Sequence, residues 1–142
     1  MAIGTVTVTS NEYHGKVNHV SLAWTSNAGG TASSTFSLPT GTLMQVYISP
    51  GGSVPTNGYT VAVTDVNGLS ILTDGAGGTI GGGSLTGASY YRYAPRIPDV
   101  AADGKVSTGM WITGSTAYTL TVLGAGNATN GTVDLYVAPT TQ

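Results

Sequence analysis

The chain has 142 residues, a formal net charge of −2, only 7% charged residues and no cysteine. That length fits one domain burying about 70% of the surface its unfolded form exposes, and the missing thiols exclude disulfides and cysteine chemistry without fixing the redox compartment. Four basic residues are too few to neutralise the several phosphates that nucleic-acid binding requires, and no apolar run approaches the ~20 residues of a membrane helix, so neither nucleic acid nor membrane is an expected partner.

The first residues, MAIGTVTVTS, lack the basic and apolar regions of a signal peptide, so assembly in a cytoplasm is expected. TVTVT sets Val6 and Val8 on one face and Thr5, Thr7 and Thr9 on the other, the period of a strand. Residues 1 to 16 are expected to act as an N-terminal contact segment, with Tyr13 and Lys16 among its contacts, because termini are loose unless a neighbour pins them. A single β domain is expected over 17 to 142. NHVSLAWT gives the inward set Val20, Leu22 and Trp24, and GTLMQVYIS alternates Met44, Val46 and Ile48 against Leu43, Gln45 and Tyr47. YTVAVT groups Tyr59, Val61 and Val63, followed by a tight hairpin turning at Asn67-Gly68, from which Leu69 and Ile71 leave.

From about 74 to 103 the alternation stops. A glycine-rich run, GAGGTIGGGSLTG, leads into YYRYAPRIP at 90 to 98. An irregular stretch of that length inside a compact domain is commonly functional. Two readings stand side by side: a contact loop, or one more strand through SYYRYA with Tyr91 and Tyr93 on a shared face. Alternation then resumes in KVSTGMWIT (Val106, Met110 and Ile112 inward, Trp111 outward), TAYTLTVL (Tyr118, Leu120, Val122) and GTVDLYVA (Val133, Leu135, Val137). About nine or ten short strands separated by Asn-Gly and Asp-Gly turns predict an all-β chain, an antiparallel β-sandwich or jelly-roll-like barrel.

The signatures of catalysis do not assemble. His14 and His19 have no companion Cys or acidic set for zinc, and the six acids are scattered without a calcium-loop spacing. The glycine run lacks the phosphate-loop register, and its serine misses the nucleophile-elbow pattern. No enzyme activity, metal or cofactor is expected. The residues suited to contact are Tyr90, Tyr91, Arg92, Tyr93 and Arg96, because Tyr and Arg combine buried area with polar tips at interfaces. Trp111 is a candidate ring for stacking against a sugar, whereas Trp24 reads as core.

Two stretches carry a resemblance: VSLAWTSNAGGTASSTFSLPTGTLMQVYISPGGSVPTNGYTVAVTDVNGLSILTDGAGGT at 20 to 79 and TAYTLTVLGAGNATNGTVDLYV at 116 to 137. Within the first, PTNGYTVAVTDVNGLSILTDGAGG is similar to the strand, hairpin and glycine-rich exit of small structural proteins of tailed bacteriophages. It resembles in particular the decoration or cement proteins of the head, and the second stretch resembles their closing hairpin. The resemblance implies a β-sandwich, a homotrimer, and a seat on the outer capsid that rivets neighbouring major capsid protein subunits. It leaves YYRYAPRIP unmatched. A glycan-binding module of a fibre or adhesin, and a tail or baseplate component, are the alternatives.

Overall fold

The computed structural model describes residues 4–72, 85–95, 110–112 and 115–139, with the backbone alone of Met110, Trp111, Ser115 and Thr116. Among them are nine strands and no helix: β1 (Thr5–His14), β2 (Val17–Thr25), β3 (Ala32–Leu38), β4 (Gly41–Pro50), β5 (Thr60–Thr64), β6 (Tyr91–Tyr93), β7 (Met110–Ile112), β8 (Ser115–Leu123) and β9 (Asn130–Pro139). Valine, isoleucine and threonine dominate these stretches, and their stiff branched side chains suit a pleated backbone.

The strands form two antiparallel sheets. One has six strands in the order β1-β2-β9-β4-β6, with β7 also on β4, and the other has three in the order β3-β8-β5. β6 and β7 lie end to end along one edge of β4, opposite residues 46 to 48 and 41 to 43 respectively. The pairing is nested: β2 pairs with β9, β3 with β8, and β4 with β6 and β7. Innermost, β5 meets the stretch after it through the Thr64–Ser70 bridge and the Ile71 N–H, which donates to the Val63 carbonyl at 2.9 Å. The arms of one long hairpin are thus laid over each other and cross-linked by β9–β4 and β8–β5.

One hydrophobic cluster draws on both sheets. Val20, Leu22 and Trp24 of β2, Val46 and Ile48 of β4, and Val133, Leu135 and Val137 of β9 meet Phe36, Val61, Val63, Tyr118, Leu120 and Val122. Each such side chain contributes about 1.5–3 kcal/mol relative to exposure. Trp24 and Tyr59 pack with ring centroids 6.1 Å apart. A Cβ on Gly131 would come within 2.7 Å of the indole, so only glycine lets β9 pass under Trp24. The Tyr59 hydroxyl is buried without a partner; burial, with smaller contributions from Tyr91 and Tyr93, pushes its pKa up to about 12.

Several sequence expectations change here. Residues 5 to 14 are a full strand of the larger sheet, hairpinned to β2 through Gly15 (φ 67) rather than free. A bulge between Val8 and Ser10 reverses the faces of β1, so Val6 and Val8 oppose Trp24 and Leu22, while Asn11 and Tyr13 oppose Val20 and Asn18. A second bulge, between Leu43 and Gln45, turns Leu43 into the core and leaves Met44 51% exposed, the reverse of strict alternation. The turn after β5 spans residues 65 to 69, because Asp65 Oδ1 accepts from the N–H groups of Asn67 and Leu69. Leu69 is therefore exposed while Ile71 is buried. β3, ASSTFSL, has too weak an apolar alternation to announce itself.

Candidate functional site

The residues of YYRYAPRIP divide between two environments. In β6, Tyr91 and Tyr93 turn towards the core, stack with centroids 6.0 Å apart and planes 2° from parallel, and are partly buried. The Thr86 N–H donates to the Tyr91 hydroxyl oxygen at 2.7 Å, which lowers that phenol's pKa, whereas burial raises that of Tyr93. Arg92 points the other way, onto the outer face of the six-stranded sheet. Tyr90 is 72% exposed beside the strand. Arg96 lies outside the described residues. Among the described contact candidates of this segment, Tyr90 and Arg92 are the ones that stand exposed.

Arg92 begins a row that crosses the sheet. Strand register sets it opposite Tyr47 of β4, and its guanidinium carbon lies 4.5 Å from the Tyr47 ring centroid, a cation–π geometry. Tyr47 meets Tyr136 of β9 edge-on at 6.3 Å. Tyr136 stacks on His19 of β2 at 4.4 Å, with the planes 4° apart, as their direct cross-strand pairing permits. His19 Nε2 donates to the Asp134 carboxylate at 2.8 Å, with the two side chains only 20% and 19% exposed. Beyond it, on β1, His14 sits 6.1 Å from His19 and 3.5 Å from Glu12, at exposed positions. Five strands supply this row, and none of its members is adjacent in sequence to the next.

A histidine held by a carboxylate invites a catalytic reading, but among the described residues no hydroxyl bonds His19. No group of three or more His, Cys, Asp and Glu side chains able to hold a metal occurs among them either. What the row brings together is rings with aligned edges and faces, one guanidinium, and one carboxylate–imidazole pair, packed against one another.

The remaining expected contacts sit elsewhere. Tyr13 is 64% exposed near the tip of the β1–β2 hairpin, and Lys16 is exposed in its turn. The backbone of Trp111 pairs with Thr42 at the β7 edge, and its side chain lies outside the described residues. Sequence reasoning missed His19, Tyr47, Asp134 and Tyr136 as a group. The signal was present in the off-phase positions of NHVSLAWT, GTLMQVYIS and GTVDLYVA, where aromatic or ionisable residues alternate with core ones.

Comparison with known proteins found no matching family model, no matching curated protein and no matching solved structure.

Proposed function

We propose that this protein is a non-enzymatic structural component of a tailed-phage virion that seats on the outer capsid and bridges major capsid protein subunits, using the outer face of the six-stranded sheet. The observation that carries the reading is the Arg92–Tyr47–Tyr136–His19–Asp134 row. Interfaces concentrate Tyr and Arg where rings can be covered and polar tips satisfied, and this row is already ordered before contact, which lowers the cost of binding. Repetition over a capsid makes modest individual contacts sufficient, since several seats act together.

The nested pairing supports the finer fold reading, a jelly roll. β2-β9-β4-β6 and β3-β8-β5 are the two layers obtained by rolling one long hairpin, with β1 added at an edge. Jelly rolls serve both capsid and lectin proteins, so the fold does not choose between them. A glycan-binding reading draws on the same row, whose rings and polar groups also suit a sugar.

The deciding experiment incubates the purified chain with expanded capsids that lack it, followed by cryo-EM. Saturable binding with density on the outer shell is expected. A chain that leaves capsids bare would sink the cement reading, binding on a glycan array abolished by Tyr136→Ala would favour the lectin reading, and density on the tail would relocate the protein.

A further inference from the structure

We infer that two copies of this chain join edge to edge through β1, antiparallel about a two-fold axis, making one continuous sheet from the two six-stranded ones. This contact is separate from whatever the row on the outer face binds, and it goes beyond the capsid reading.

The inference starts from an edge that no described strand covers along its length. Among the described residues β1 pairs with β2 on one side, while on the other only Gly4 is engaged, by the bridge to Ala32. Ten residues follow that bridge, TVTVTSNEYH; six of them are β-branched or aromatic, and eight of the ten are exposed. A long edge of this kind templates pairing with another strand unless it is blunted by lysine, proline, a short length or a bulge. Of these devices β1 carries only the bulge between Val8 and Ser10, at the middle of the strand where the two-fold axis falls; it contains no lysine, no arginine and no proline, and Glu12 is its one carboxylate.

The occupant follows from the strand's own faces. Because the bulge at Thr9 reverses the alternation, Val6, Val8, Asn11 and Tyr13 share the inner face, and Thr5, Thr7, Glu12 and His14 share the outer one. An antiparallel copy aligned end to end keeps both faces matched. It sets Val6 opposite Tyr13 and Val8 opposite Asn11 on the inner side, with Thr7 opposite Glu12 and Thr5 opposite His14 on the outer. The pairing covers Tyr13 (64% exposed) and Val8 (45% exposed), and aromatic–β-branched cross-strand pairs stabilise a sheet. No like charges face each other. The partner strand ends at its own His14, opposite Thr5, one residue short of the position Ala32 already occupies. A two-fold contact is also self-limiting, closing as a dimer.

The test exploits the absence of cysteine in the chain. In the double variant Thr7→Cys with Glu12→Cys, the two positions lie about 16 Å apart along one strand, too far to bond within a chain. Across the paired edge they fall about 4.5–5.5 Å apart between Cα atoms, within disulfide reach. Mild oxidation should therefore yield a covalent dimer from the double variant and none from either single variant. Independently, Tyr13→Lys should weaken the non-covalent dimer of the otherwise native protein at least about tenfold by sedimentation equilibrium, with the β circular-dichroism signal unchanged. A monomer at high protein concentration, or an oligomer in which the double variant does not cross-link and Tyr13→Lys has no effect, would overturn the inference. Capsid binding by an uncross-linked monomer would leave the proposed function standing while removing this contact, so the two fail separately.

Discussion

The two sheets share one core but turn unlike faces outward. The six-stranded sheet presents His19, Tyr47, Arg92, Asp134 and Tyr136 in mutual contact. The three-stranded sheet presents Ser33, Thr35, Thr60, Thr64, Thr119, Thr121 and Leu123, with no Asp, Glu, His, Lys or Arg on its three strands. Thr35, Thr119 and Thr64 stand side by side, and Ser33 reaches Thr121 at 3.5 Å. Threonine at such positions satisfies strand propensity and leaves its hydroxyl to water. Rings, a guanidinium and a hydrogen-bonded carboxylate instead hold apolar area and charge partly out of solvent, where a partner covering them gains most. The same alternation thus yields one face dominated by hydroxyls and one face of packed rings with charged groups among them.

The comparison breaks most severely if the shared core is opened. Leu135 is fully buried between Asp134 and Tyr136 on β9, so Leu135→Ala should cost about 2–5 kcal/mol in urea denaturation and disturb the row with it.

Alkaline pH probes the core from another side. The Tyr59 phenol has its folded pKa raised from 10.0 to about 12, so folding favours its neutral form. Its contribution is fully present below pH 10 and is lost as pH rises towards 12, up to about 3 kcal/mol for that shift. Tyr59→Phe should flatten this alkaline loss in denaturation curves measured from pH 9 to 12. It should cost nothing at pH 7, because the hydroxyl has no partner there.

Within the row, Asp134→Ala leaves the His19 imidazole half-buried without its acceptor and should cost about 1–3 kcal/mol. Asp134→Asn, which keeps a carbonyl acceptor, should cost less.

How much of this was legible beforehand depends on sequence distance. Period two alone located Val20, Leu22, Trp24, Val61, Val63, Leu120, Val122, Val133, Leu135 and Val137 in the core, because burial of one face repeats within a strand. The bulges at Thr9 and Met44 were illegible, since one extra residue reverses every face beyond it and leaves no compositional mark. β3 carries no clear strand signal, because Ser34 holds an inward position between Ala32 and Phe36. The row was hidden for a different reason: Tyr47, Asp134, Tyr136 and His19 become neighbours only through pairing of β2, β9 and β4, and a single sequence does not state which strands pair. SYYRYA, which its sequence alone allows as loop or strand, contains a three-residue strand whose tyrosines share a face.

Smaller effects sharpen the contrast between the faces. Arg92→Ala removes an exposed cation–π contact, so its stability cost should be about 0.5–1 kcal/mol. Thr119→Ala, its counterpart on the neutral face, should stay within about 0.5 kcal/mol of the parent.

The central claim, that the six-stranded sheet meets the capsid through its outer face, is tested most directly by co-sedimentation with expanded capsids lacking the protein. Tyr47→Ala with Tyr136→Ala should lower affinity at least about tenfold, equivalent to about 1.4 kcal/mol, while Thr119→Ala with Thr121→Ala should bind as the parent does. Parental binding by the tyrosine variant, with loss of binding by the threonine variant, would contradict the account and move the contact to the opposite face.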